Sequence, residues 1–144
     1  MERLRGTCIA VEGSGVLLRG PSGCGKSDLA LRLIDAGGCL VADDYTDVAE
    51  VGGRLVATAP PRLRGLLEVR GIGIIRLRAI PSATLVACID LVPIDEIERT
   101  PGPEDVQILG VSVPRFAVCA AEPSSVAKVA LVVRIASGTI IRIA

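Results

Sequence analysis

Apolar and polar positions along most of this chain occur in short runs and alternations, and a helical period shows in only a few places. Residues 7–11 form a β-prone run, Glu12-Gly13-Ser14-Gly15 has the composition of a hairpin turn, and residues 16–19 supply a second strand. The pattern changes over residues 27–36. There Leu29, Ala30, Leu33 and Ile34 share one helical face, Asp28 and Arg32 pair at i,i+4, and Gly37-Gly38 end the helix. Residues 39–42 return to a short apolar strand that runs into Asp43-Asp44. Further strands are predicted at 47–51, 54–58, 73–77, 84–91 and 115–120, with Pro60-Pro61, Pro81 and Pro101-Gly102-Pro103 as turns between them. Ser125 is placed to cap a helix from Val126 to about Arg134, although the valines there suit a strand equally well. The expected fold is a single α/β domain over residues 1–144, a mixed sheet with few helices.

Within that pattern, Gly20-Pro21-Ser22-Gly23-Cys24-Gly25-Lys26-Ser27 fits G-x-x-x-x-G-K-[ST] and lies between a predicted strand and a predicted helix, where a phosphate-binding loop must sit. Its glycines let backbone N–H groups turn onto phosphate oxygens, the helix N-terminus adds partial positive charge, Lys26 reaches the terminal phosphates and Ser27 can ligate Mg²⁺. Asp43-Asp44 closes the next strand. Neighbouring strand residues face opposite ways, so one carboxylate suits Mg²⁺ or its water, and the other, if the strand ends there, can take a proton from an attacking hydroxyl. Such a pair also fits a solvated turn. Glu68 and Arg70 share one face of an extended segment followed by Gly71 and Gly73, a pattern that by itself fits a salt-bridged strand end. Arg99 stands in the charged run Asp95-Glu96-Ile97-Glu98-Arg99, and Lys128 falls early in the possible C-terminal helix as a solvated side chain.

Composition narrows the chemistry. Sixteen Lys and Arg balance sixteen Asp and Glu, which leaves no bulk field for a nucleic acid. Tyr45 and Phe116 are the only aromatic residues, too few for base- or sugar-stacking surfaces. No apolar run approaches a bilayer span and residues 1–5 lack a secretory signal, so a cytoplasmic protein is expected. Five scattered cysteines indicate neither a disulfide framework nor a zinc site, and the absence of histidine removes Ser-His-Asp and Cys-His catalysis. Carboxylates, Lys, Arg, hydroxyls and backbone amides must do the chemistry.

Three blocks in order, GPSGCGKSDLALRLIDAGGCLVADD (20–44), TAPPRLRG (58–65) and LLEVRGIGII (66–75), resemble the bacterial HPr kinase/phosphorylase family. The third is the most specific, since phosphate loops are widespread. The likeness runs from about Gly6 and weakens after Pro93; it covers the catalytic domain alone, as in the short form of some proteobacteria. What it implies is an enzyme that uses ATP and Mg²⁺ to phosphorylate a serine of HPr, a small phosphocarrier, and removes that phosphate by phosphorolysis. Gly20 to Ser27 then resemble the nucleotide site, with Lys26 catalytic and Ser27 a Mg²⁺ ligand. Asp44 matches the proton acceptor of the forward reaction, Asp43 is left near the metal, Glu68 matches a second Mg²⁺ ligand, and Arg99 matches a catalytic arginine. The family also implies a homo-oligomer, a hexamer, with no membrane or nucleic-acid partner.

The chain departs from the family in three places. Arg5 stands where a histidine is usual, and a guanidinium neutralises phosphate but does not exchange protons near neutral pH. Ala121-Glu122-Pro123-Ser124-Ser125 replaces a Pro-Gly-Arg-Asn-like loop tied to dephosphorylation, and residues 135–144 do not resemble the closing helix of longer members. The alternatives are a nucleotide-sensing regulator without catalysis and a P-loop kinase of a small metabolite. A GTPase is disfavoured because a chain without asparagine cannot contain Asn-Lys-x-Asp.

Overall fold

The computed structural model describes all 144 residues. Strand β1 (Glu2–Arg5) is followed by β2 (Thr7–Val11), β3 (Ser14–Arg19), α1 (Lys26–Asp35), β4 (Cys39–Ala42), β5 (Tyr45–Val51) and β6 (Arg54–Thr58). The second half holds β7 (Leu66–Val69), β8 (Gly73–Arg76), β9 (Ala83–Leu91), β10 (Asp105–Ile108), β11 (Val111–Val118) and α2 (Ser125–Ser137). The mixed sheet with few helices is as expected. Nine strands form one sheet along the path β1-β5-β6-β9-β3-β2-β4, with β11 and β10 branching from β9, and β7-β8 form a separate hairpin.

Strand β9 is the branch point. One edge pairs in parallel with β3; the other pairs with β6 at Ala83-Thr84 and with β11 at residues 88–91. Because β3, β9 and β11 run in parallel, their carboxyl ends, Arg19, Leu91 and Val118, lie at one edge of the sheet. Alternation along these strands feeds two cores. Leu18, Ile89 and Val16 face α1 and α2, while Leu17, Cys88 and Cys8 face away, against Val48, Leu55 and Ala57 of β5 and β6. The hairpin turns are shorter than expected: Glu12-Gly13 alone connects β2 to β3, with φ of 51° and 84°, the left-handed pair that matches strand twist.

Helix α1 begins one residue before its predicted start and ends one before its predicted end. Its buried Leu29, Ala30 and Leu33 are the face read from the sequence. The C-terminal ambiguity resolves as helix, because Val129, Val132 and Val133 at i, i+3 and i+4 bury one stripe on the sheet. The cap expected at Ser125 is corrected: Ser124 precedes the helix without a side-chain cap bond, and Ser125 is its fully buried first residue. The Ser125 hydroxyl accepts from Arg32 Nη1 at 2.6 Å, while Arg32 Nη2 donates to Ala120 O and Nε pairs with Asp28 at 3.0 Å. Lys128, expected to be solvated, pairs with Glu122 at 2.9 Å. Strands β1 and β10 carry no local signal and form by pairing with β5 and β11. No helix is long and apolar enough to cross a membrane.

Ion pairs lock the carboxyl edge. Asp90 on β9 accepts from Arg19 of β3 at 2.7 Å and from Arg115 of β11 at 2.8 Å, cross-linking the three parallel strands one residue below Gly20. Partial burial pushes the Asp90 carboxyl up, but hydrogen bonds and charge from the two guanidiniums outweigh it and hold it below the ordinary carboxylate range. Burial pushes the Cys8 thiol up to about 12 and the Cys88 thiol up to about 11, so both are inert near neutral pH.

Two outcomes are expected. Leu18→Ala, which empties a fully buried site beneath α1, costs about 3 kcal/mol in chemical denaturation. Asp90 contributes its stability in full above about pH 4 and loses it as the pH falls through its lower folded-state value. Asp90→Asn is therefore less stable at neutral pH, with a flatter acid limb in denaturation measured against pH; an unchanged acid limb would show that the cross-link carries no stability.

Candidate active site

The loop after β3 is built by residues that few side chains could replace. Gly20 adopts φ 152°, and a Cβ there would lie 2.6 Å from Cys24 Sγ and 3.2 Å from Leu91 O. Gly25, at φ 98°, precedes the first turn of α1, and a Cβ on it would press on Ala120 at 3.0 Å. The loop thus packs against the segment joining β11 to α2, so the helix N-terminus opens into a cavity of about 460 Å³. Lys26 Nζ folds across the loop, donating to the carbonyl oxygens of Gly20 and, at 3.1 Å, Pro21.

The aspartate pair is arranged by the end of β4. That strand stops at Ala42, so the rule that neighbours face opposite ways does not govern Asp43 and Asp44. Asp43 is buried and joins three elements. Its Oδ1 accepts from Thr7 Oγ1 at 2.9 Å and Ser27 Oγ at 3.4 Å, and its Oδ2 accepts from the Glu68 backbone N–H at 3.2 Å. Asp44 is exposed and left-handed at φ 67°. Tyr45 N–H donates to Asp43 O at 2.7 Å, closing a three-residue turn with Asp44 at its centre, and the positive φ makes this the rare, strained form. Gly6 N–H donates to Asp44 O at 2.8 Å and holds the turn from the other side.

Strand β7 brings Glu68 and Arg70 to the same cavity, so the shared face read from the sequence is a cavity wall rather than a plain strand end. The lining consists of Arg5, Ser22, Gly23, Gly25, Lys26, Ser27, Asp28, Leu31, Asp44, Glu68, Val69 and Arg70. Of the loop residues singled out, Gly20, Pro21 and Cys24 form its back and the others its inner surface. Arg99 is the exception. It is exposed beyond the short turn Ile94–Glu96, past the end of β9, and does not reach the cavity within one chain. A charged run matched over a few residues carried no information about direction, and this placement corrects the assignment for the single chain.

Sequence reasoning missed Thr7 entirely and saw Asp28 only as an ion-pair partner. Nothing local distinguishes Thr7 from any β-branched strand residue; only the pairing of Cys8 with Ala42 sets it opposite Asp43. For a divalent cation the donor set is wholly oxygen: the Ser27 hydroxyl and the Glu68 carboxylate, with Asp43 beside Ser27. No cluster of three acidic or thiol groups encloses an ion. The set fits a hard cation such as Mg²⁺ held jointly with phosphate oxygens and water, and does not fit an all-protein cage.

Comparison with known proteins agrees with this geometry. A family model described as the HPr serine kinase C-terminal domain matches residues 1–137. An HPr kinase/phosphorylase of Clostridium tetani is 40% identical over 110 residues, 76% of this chain and 36% of that protein. One from Clostridium novyi is 49% identical over 78 residues, 54% of this chain and 25% of that protein. The chain thus spans about a third or less of the length of these relatives. The solved structure of the Hpr(Ser) kinase/phosphatase from Coxiella burnetii superposes with a TM-score of 0.85 at 25% identity, covering 96% of this chain and 98% of that one.

The strain at Asp44 is open to measurement. Asp44→Gly, which removes the steric cost of the left-handed backbone, is expected to be more stable than the parent by about 0.5–1 kcal/mol in denaturant unfolding. Asp44→Val is expected to be less stable than the parent. Equal stabilities for all three chains would show that the turn stores no strain.

Proposed function

The chain belongs to the HPr serine kinase C-terminal domain family, and from that premise we propose that it phosphorylates a serine of an HPr-type phosphocarrier protein with ATP and Mg²⁺. In the reverse direction it passes the phosphoryl group from that serine to inorganic phosphate, releasing pyrophosphate. The observation that carries this reading is the meeting, in one cavity, of the phosphate loop, Asp44 on its strained turn, and Glu68 from β7.

In the forward direction the serine oxygen bonds to the γ-phosphorus, the bond from that phosphorus to the β–γ bridging oxygen breaks, and ADP leaves. The hydroxyl proton passes to the Asp44 carboxylate. The loop amides and the α1 N-terminus hold the phosphates, and Lys26, released from the Gly20 and Pro21 carbonyls, neutralises them. The Ser27 hydroxyl and the Glu68 carboxylate would hold Mg²⁺, which would supply neutralisation of phosphate charge. Asp43 accepts from Ser27 and so fixes the direction of that hydroxyl. In reverse, protonated Asp44 returns its proton to the serine oxygen as phosphate attacks. Arg5 and Arg70, on the same cavity, are the cations available to an incoming phosphate.

The rim favours a protein acceptor over a small metabolite. Ile72 and Ile74 of the β7-β8 hairpin are 74% and 72% exposed beside the opening, and Ile74 stands opposite Glu68 in the hairpin. Apolar side chains left in water at the mouth of a site suit a docking protein. A part for Arg99 requires a second copy of the chain to carry it to the cavity, as a closed homo-oligomer can.

The test is transfer of labelled γ-phosphate from ATP with Mg²⁺ to HPr from the same organism, alongside HPr lacking the target serine. Serine-dependent labelling that falls at least about a hundredfold with Asp44→Asn is expected. Nucleotide binding without labelling would move the reading to a nucleotide sensor. The lining has no aromatic residue, and Leu31 and Val69 are its only apolar side chains, so phosphates rather than the base dominate recognition. Pyrophosphate is accordingly expected to displace a fluorescent ATP analogue with an affinity within about tenfold of that of ATP.

A further inference from the structure

We propose that Thr7 is a positioning residue of the phosphoryl-transfer site: its buried hydroxyl sets the Asp43 carboxylate against Ser27 and braces the strained backbone of Asp44. The proposal rests on the kinase reading of the cavity and adds a residue that does not line it. Thr7 is fully buried on β2, in a chain where buried polar side chains are few. A hydroxyl has one proton to give and lone pairs to accept with. Here the proton goes to Asp43 Oδ1 at 2.9 Å, and the oxygen accepts from the Asp44 backbone N–H at 3.4 Å.

The two bonds have different consequences. The first shares Oδ1 with Ser27 and, with the Glu68 N–H on Oδ2, ties both carboxylate oxygens to the fold so that Oδ1 stays within reach of Ser27. The second, with the bond from Gly6 N–H to Asp44 O, holds both polar groups of the Asp44 peptide against β2 and its lead-in. Without the hydroxyl, Asp43 Oδ1 keeps only the 3.4 Å bond to Ser27, and the strained turn loses a brace. Valine is the matching probe because it keeps the shape of threonine and removes both bonds, whereas serine keeps both and removes a methyl.

The experiment measures nucleotide binding by calorimetry with and without Mg²⁺, and steady-state phosphoryl transfer to HPr, for the parent, Thr7→Val, Thr7→Ala and Thr7→Ser. Thr7→Val and Thr7→Ala are expected to lower kcat about tenfold and to raise the Mg²⁺ concentration for half-maximal rate, with metal-free ATP binding unchanged. Thr7→Ser recovers most of the loss. In an Asp43→Asn background Thr7→Val changes Mg²⁺-dependent binding by less than about twofold, because its route through Asp43 is already cut. Parental Mg²⁺ dependence in Thr7→Val, a Thr7→Ser chain as impaired as Thr7→Val, or effects on Mg²⁺-dependent binding that multiply in the Asp43→Asn background would each overturn the proposal. The binding arm needs no acceptor, so failure to phosphorylate HPr sinks the kinase reading while Mg²⁺-dependent binding still decides the part of Thr7. A parent chain whose nucleotide binding ignores Mg²⁺ overturns both.

Discussion

The Asp43 carboxylate is the constraint on which the site depends. Three donors reach it from three parts of the fold: Thr7 on β2, Ser27 at the start of α1, and the Glu68 backbone on β7. A buried carboxylate is costly unless its lone pairs are filled, and here each donor also belongs to an element that carries something the chemistry needs. Ser27 ends the phosphate loop, Glu68 is a cavity carboxylate, and Thr7 touches Asp44. The separate β7-β8 hairpin, which does not join the main sheet, is thereby tied at Glu68 to the turn after β4. Asp43 therefore decides where the other groups lie without itself facing the open cavity.

A second lock lies at the opposite end of the same loop. Gly20 follows directly on Arg19, whose guanidinium is held with that of Arg115 on Asp90. The loop thus starts from a strand cross-linked to its parallel neighbour β9, which Asp90 ties in turn to β11, and ends on a hydroxyl held by Asp43. A phosphate site needs amides fixed in direction before the ligand arrives, since reorganisation during the reaction raises the barrier. Ends fixed by ion pairs and buried hydrogen bonds, and a middle made of glycines, meet that need.

How much of this was legible follows from the range of each signal. The loop, α1 and the strands beside them are written in contiguous residues, and their bounds came within one or two positions. The helix at residues 125–137 stayed ambiguous because valine suits a strand by propensity and a helix by spacing, and only burial of Val129, Val132 and Val133 against the sheet chose. For Asp43 and Asp44, only one faces the cavity, as alternation implied, but since the strand stops at Ala42 it is the turn at Asp44 that separates them. Thr7 was invisible since its importance lies in a strand register, a relation between residues 36 positions apart. Arg99 went the other way: a local likeness suggested a site residue that the path of the chain beyond β9 carries elsewhere.

Charge shows the same difference between a sum and an arrangement. Sixteen basic and sixteen acidic residues cancel, and from that balance no attraction for polyanions follows. The fold sorts them. Arg3, Arg19, Arg32, Arg115, Lys128 and Arg134 are held by carboxylates in ion pairs. Arg5, Lys26 and Arg70 enter none of those pairs and converge on one cavity from the lead-in to β2, the phosphate loop and the β7-β8 turn. Three of the cations without a carboxylate partner thus meet where a helix N-terminus already favours anions, and Asp28, Asp44 and Glu68 are the acids on the same lining. A neutral chain with no histidine can in this way set three unpaired cations and a helix N-terminus beside a carboxylate on a strained turn, the kind of combination that phosphoryl transfer to a hydroxyl demands.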